Sequence, residues 1–129
     1  MRYLLDTNLL SKQDTHPKAR NWILQHQLQI GISSITVAEV AQGVEALPRG
    51  RRRSQLETFL REMLEDYPVV PFDTQEALTW GHYVVEAGRP LPVRDSLIAA
   101  TALANNLEVV TENTRDFPGV ETVSPLQDS

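Results

Sequence analysis

The feature that most constrains this chain is the alternation of short apolar runs with longer stretches of helical periodicity. Arg2–Leu5, Ile30–Ser34, Val69–Phe72, Glu108–Thr111 and Val120–Val123 are bounded by turn residues and read as strands. Pro17–Leu28 reads as a helix, with Pro17 suited to its first turn and Ala19, Trp22, Ile23 and Leu28 on one face. A second helix opens at Thr36, carries Val37, Val40, Ala41, Val44 and Leu47, and ends at Pro48-Arg49-Gly50. Arg52–Asp66 is strongly charged, with Leu56, Phe59, Leu60, Met63 and Leu64 as its apolar stripe. Thr74–Ala87 stops at Gly88, a left-handed cap, and Arg89-Pro90-Leu91-Pro92 cannot continue it. Ser96–Asn105 is apolar nearly all round and reads as buried, and Asn113–Phe117 as one helical turn. Strands alternating with helices predict an α/β layer fold, a mainly parallel central sheet flanked by helices. With 129 residues, no repeat and no linker, one domain spanning 1–129 is expected.

In open parallel sheets, ligands bind beyond the carboxyl ends of the strands. Asp6 follows the first strand, Glu39 lies early in the helix after the second, and Asp116 follows the strand ending at Thr111. Asp95 stands at the start of the apolar helix. All four could therefore converge on one crevice. Clustered carboxylates repel and do not all stay ionised in a partly buried pocket without a cation. Hard cations with oxygen ligands, Mg²⁺ or Mn²⁺, suit such a site, and they support phosphodiester chemistry.

Each acid also has a purely local reading. Thr36-x-x-Glu39 is a capping-box pattern, and Asp95 is a suitable N-cap for Ser96 onward. Asn113 can cap the short turn with Asp116 as a favourable charge in it, and Asp6 can form a turn with Thr7 and Asn8. Ligation rests on the four acids taken together.

Four ordered segments then carry a family resemblance: Leu4-Leu5-Asp6-Thr7-Asn8, Ser34-x-Thr36-Val37-x-Glu39, Arg94-Asp95-Ser96-Leu97-Ile98-Ala99-Ala100-Thr101-Ala102, and Val110-Thr111-x-Asn113-Thr114-x-Asp116-Phe117. Together they resemble the PIN-domain toxins of bacterial toxin–antitoxin pairs, the VapC/FitB type, over essentially the whole chain. The resemblance implies a Mg²⁺- or Mn²⁺-dependent endoribonuclease, with Asp6, Glu39, Asp95 and the more variable Asp116 as catalytic, metal-holding acids. It implies Thr7, Thr111 and Asn113 as supporting polar residues, a homodimer, and an antitoxin that blocks the site and carries the DNA-binding arms, so that DNA is met only indirectly. One departure is visible: Glu112 stands where the family often has a basic residue before the asparagine.

Other features narrow the alternatives. A net charge of −5 argues against nucleic-acid binding by bulk electrostatics, although an acidic site can meet phosphate through its metal. Arg94 and Arg89 flank the loop before Asp95 and are placed to touch an RNA phosphate. Arg49, Arg51, Arg52 and Arg53 form a dense basic corner, read either as a solvated corner pairing with Glu57 or as a backbone or partner contact. His16, His26 and His82 have no ligand spacing, and Trp22, Trp80 and Tyr83 lie on helical stripes as packing residues. The absence of cysteine excludes disulfides and thiolate sites. The opening MRYLLD does not read as a signal peptide, and no segment approaches the ~20 apolar residues of a membrane span. A cytoplasmic setting without a membrane partner is the expectation. Two other classes compete: a catalytically weak PIN-like module that binds RNA or an antitoxin, and a phosphotransfer domain with Asp6 as acceptor. The latter usually needs a second aspartate two residues on, where Asn8 stands.

Overall fold

Successive residues of a strand face opposite sides of its sheet, and β1 (Tyr3–Leu5) shows how the chain uses this. Tyr3 and Leu5 enter one core and Leu4 the other, all three buried. The computed structural model describes residues 1–127, so the last two positions of the expected 1–129 span lie outside the described residues. β1 is joined by β2 (Ile30–Ser33), β3 (Val69–Val70), β4 (Glu108–Val110) and β5 (Thr122–Val123) in a five-stranded sheet of order β3-β2-β1-β4-β5. Every pairing is parallel, with Leu4 opposite Gly31 on one side and Val109 on the other.

The helices are α1 (Thr7–Lys12), α2 (Pro17–His26), α3 (Ser34–Ala46), α4 (Arg51–Asp66), α5 (Thr74–Glu86) and α6 (Val93–Ala104). Short 3-10 turns follow at Gln27–Gln29 and Thr114–Asp116. Tyr3, Leu5, Ile30, Ile32 and Val110 pack against α1, α2, α3 and α4 through Leu9, Leu10, Ile23, Val40 and Met63. On the other face Leu4, Val70 and Val109 pack against α5 and α6 through Tyr83, Ile98, Ala99 and Ala102. Burial on both faces is what a parallel sheet requires. The expected layer architecture is therefore the one observed.

Several boundaries differ from the sequence reading, each for a local reason. The segment after Asp6 is a helix rather than a turn, because Leu9 and Leu10 bury in the core on one face of the sheet. α3 starts at Ser34, not Thr36: the Ser33 hydroxyl caps it by accepting from Ile35 N at 3.0 Å. α6 starts at Val93 behind Pro92, three residues earlier than a start at Ser96. β3 and β5 are shorter than expected, and the sequence reading missed the capping box that starts α5, in which Asp73 and Glu76 satisfy one another's backbone. Gly88 does close α5 in the left-handed conformation, at φ 67°. Among the described residues no helix is long and apolar enough to cross a membrane.

Core burial sets an unequal cost for truncation. Leu4, 0% exposed between β2 and β4, should lose about 2–5 kcal/mol of stability on replacement by alanine. Leu28, 99% exposed, should change by no more than about 0.5 kcal/mol. Urea unfolding of the two variants measures the contrast.

Candidate active site

The strand order reverses direction at β1: the chain builds outward to β2 and β3, then returns to place β4 on β1's other edge. At such a switch point the loops leaving two adjacent strands part and open a crevice. Asp6 leaves β1 there and Thr111 leaves β4. The two ends are tied by Asp6 N donating to Val110 O at 3.0 Å.

Asp6 is the N-cap residue of α1, yet its side chain does not cap the helix. Its Oδ2 accepts from Thr111 Oγ1 at 2.8 Å, while Oδ1 is buried with no hydrogen-bond partner. The whole residue is 1% exposed. Among the described residues this is the one buried side-chain oxygen or nitrogen left without a partner. A carboxylate oxygen removed from water without a partner is costly, and such atoms mark functional positions or ion contacts.

Thr111 is held in turn. Its hydroxyl accepts from Asn113 N at 3.0 Å, which directs its own proton to Asp6, and its carbonyl accepts from Ser124 Oγ at 2.9 Å. Asn113 contributes through its backbone; its side chain makes no cap hydrogen bond, contrary to the capping expectation. The Thr7 hydroxyl donates to Thr36 Oγ1 at 3.1 Å rather than to the Asp6 carboxylate, locking the first turn of α1 to the first turn of α3. That places Glu39, one turn further along α3, over the crevice. Thr36 is buried within α3 and Ser33 holds the cap, so Glu39 is free of the expected capping box.

Asp95 likewise is not an N-cap. It is the third residue of α6, buried, with its side chain 7% exposed. Ser96 fixes this turn, donating to Val93 O at 2.7 Å and accepting from Trp80 Nε1 at 2.9 Å. Trp80, read from the sequence as packing, therefore ties α5 to the turn that carries Asp95. Burial pushes the Asp95 carboxyl above the usual aspartate range; Arg94 opposes this, and the charges of Asp6 and Asp116 add to it. Asp116, partly exposed in the 3-10 turn, is thus electrostatically coupled to Asp95.

Arg94 is the cation of the cluster. Its Nη1 donates to both Glu39 oxygens at 2.9 Å and its Nη2 to Asp95 Oδ1 at 2.6 Å. Burial works against its charge, but Glu39, Asp95 and Asp6 hold its pKa above the ordinary value. Both Nη atoms thus donate to acids of the crevice, while the side chain stays partly exposed. Arg89 donates to Arg115 O at 2.7 Å, strapping the loop before α6 to the turn bearing Asp116. As the side chains stand, no three acidic or histidine groups among the described residues gather closely enough to hold a metal ion. The chemistry of the donors still fits one: hard carboxylate oxygens, one of them orphaned and buried.

The remaining candidates fall elsewhere. Glu112 turns away and accepts from Leu126 N at 3.1 Å, anchoring the segment after β5. Arg53 pairs with Glu45 and Glu57, as the solvated-corner reading has it. The corner sits beyond the far end of α3, which ends about 10 Å of helix past Glu39. His26 stacks on Trp22 at 4.1 Å, and neither joins the acids.

The chain is thus a doubly wound α/β protein with a buried acid at the switch point of its parallel sheet and further acids on the elements around it. The PIN-domain family model matches residues 3–122, and the chain belongs to that family, among relatives of the VapC and FitB ribonuclease-toxin type. It is 31% identical over 136 residues to the VapC ribonuclease Y4jK of Sinorhizobium fredii, covering 96% of this chain and 97% of that protein. Its backbone matches FitAcB from Neisseria gonorrhoeae with a TM-score of 0.85 and 29% identity, over 98% of this chain and 99% of that one. It also matches a toxin–antitoxin complex from Klebsiella pneumoniae at a TM-score of 0.75 and 28% identity, over 95% and 97% of the two chains.

The raised Asp95 pKa carries a stability consequence with a definite sign. An acid whose pKa is higher folded than unfolded binds more protons in the native state, so stability falls as pH rises from the ordinary aspartate value, 3.8, through the folded one. In metal-free buffer Asp95→Asn should therefore melt higher than the parent at pH 7, with the gap closing at acid pH. Thermal melts across pH 3.5 to 8, about the span of the aspartate and neutral ranges, measure it.

Proposed function

We propose that this chain is a divalent-metal-dependent endoribonuclease, the toxin half of a toxin–antitoxin pair. The observation that carries the reading is the buried Asp6 carboxylate, oriented by Thr111 and left with one unpartnered oxygen where β1 and β4 part. Asp6 and Asp95 would be the principal holders of Mg²⁺ or Mn²⁺, with Glu39 and Asp116 completing the pocket. What such an ion supplies when bound is Lewis-acid chemistry: polarisation of a phosphoryl oxygen and activation of water near neutral pH.

The chain's own residues do the rest. Thr111 fixes the rotamer of Asp6, so the orphaned oxygen keeps one direction. The Trp80–Ser96 bond fixes the turn that carries Asp95. Asp6 and Asp95 sit in the low dielectric of the buried crevice, which strengthens their attraction for a divalent cation. The names of the relatives favour RNA as the polymer cut and an antitoxin as the partner; an antitoxin that blocks the site and carries the DNA contact belongs to the proposal. A homodimer belongs to the same proposal, and light scattering of the isolated chain should give twice the 14.5 kDa mass.

A second reading, a PIN-like module that binds RNA or antitoxin with little hydrolysis, draws on one observation: Arg94 already pairs with both Glu39 and Asp95. Cleavage assays separate the two. Purified protein should cut RNA with Mg²⁺ or Mn²⁺ and stop on chelation. Asp6→Asn should remain folded by circular dichroism while its rate falls by about a hundredfold or more. Equal rates for parent and variant would overturn the site, and metal-independent cleavage would overturn the chemistry.

A further inference from the structure

The carboxylates of the crevice are not simply waiting for an ion: Arg94 already lies across two of them. One guanidinium nitrogen contacts both oxygens of Glu39 at 2.9 Å, and the other reaches Asp95 at 2.6 Å. Glu39 and Asp95 come from different helices, α3 and α6, so a single side chain bridges the two walls of the crevice. A divalent ion held by Glu39 and Asp95 would compete for carboxylates that Arg94 now engages through both Glu39 oxygens and Asp95 Oδ1. It would also meet a fixed positive charge at hydrogen-bonding distance from its own ligands.

From this we infer that Arg94 is a built-in counter-cation, exchanged for the divalent ion, which sets how tightly the site holds metal. The inference rests on the metal-dependent reading above. Without an ion, the guanidinium offsets the repulsion among Glu39, Asp95, Asp6 and Asp116 and holds α3 and α6 together. When the ion binds, Glu39 and Asp95 change partner and Arg94 is released. Its side chain is 29% exposed, so the released guanidinium has a route to solvent without unfolding α6. The cost of breaking short charge-assisted hydrogen bonds appears as a weakened metal affinity. Charge exchange also accounts for the side-chain positions: acids paired through an arginine need not gather around one point.

The test is Mn²⁺ binding, measured by calorimetry and by the Mn²⁺-dependent rise in melting temperature, on the parent and on Arg94→Gln. Glutamine removes the charge and the bridge. The variant should melt lower than the parent without metal, bind Mn²⁺ about tenfold or more tightly, and show a larger rise on adding it. Unchanged or weaker Mn²⁺ binding would overturn the inference, since Arg94 would then be a support that the loaded site needs. Should the glutamine variant not fold, Arg94→Lys serves: its ammonium keeps the charge but cannot span both carboxylates. Tighter binding than the parent by a few-fold is expected for it, and unchanged or weaker binding would count against the bridge. Asp6→Asn marks the site, since its Mn²⁺ signal should vanish. If the parent itself binds no Mn²⁺, the metal-dependent reading falls and the exchange falls with it; if the parent binds but Arg94→Gln gains nothing, only the exchange falls.

Discussion

The hydrogen bond from Thr111 to Asp6 joins the end of β1 to the end of β4, and through it the sheet and the site become one construction. A buried carboxylate is unfavourable in a protein interior unless something compensates it. Here one oxygen is satisfied by a hydroxyl whose own position is set by Asn113 N, and the other is not satisfied at all. The fold tolerates that deficit because two cores, one on each face of the sheet, supply the stability that the crevice lacks. Leu4, Leu5, Val109 and Val110, all fully buried, are the last residues of β1 and β4, directly before Asp6 and Thr111.

The other acids enter the crevice by different routes, and each route is a supporting contact rather than a ligand. Thr7 and Thr36 lock α1 to α3 below Glu39. Ser96 and Trp80 lock α5 to α6 behind Asp95. Arg89 straps the approach to α6 onto the turn of Asp116. Glu39 and Asp95 are therefore carried by helices, and Asp6 and Asp116 by a helix N-cap and a 3-10 turn held by short ties; preorganisation of this kind is what charge-stabilising chemistry needs. The same rigidity makes the electrostatics severe, with burial and neighbouring acids both acting to protonate Asp95 and Arg94 acting against them.

Much of this was legible in the sequence because it depends on local pattern. The five strands, the parallel sheet, the places of Asp6 and Asp116 after strands and those of Glu39 and Asp95 early in helices follow from apolar runs bounded by polar residues. What was not legible depends on contacts distant in the chain. Asp95 has the chemistry of an N-cap, and nothing nearby reveals that α6 begins at Val93 and turns the carboxylate inward. Thr36 and Glu39 have the spacing of a capping box, but Ser33 occupies the cap first. Arg94 lies 55 residues from Glu39, so its inward pairing could not be read from spacing. Glu112, out of keeping with the family pattern, proves to hold the segment after β5. The signal for Trp80 was present in its polar N–H, which a buried indole must satisfy, but its partner Ser96 is 16 residues away.

The most direct measurement of the central claim is anomalous diffraction from crystals of the chain soaked in Mn²⁺. A peak about 2.1 Å from Asp6 Oδ1, with Arg94 turned away from Glu39 and Asp95, is the predicted result. A fully soaked crystal with no peak beside Asp6, or a peak only at surface carboxylates such as Glu45 and Glu57, would contradict it.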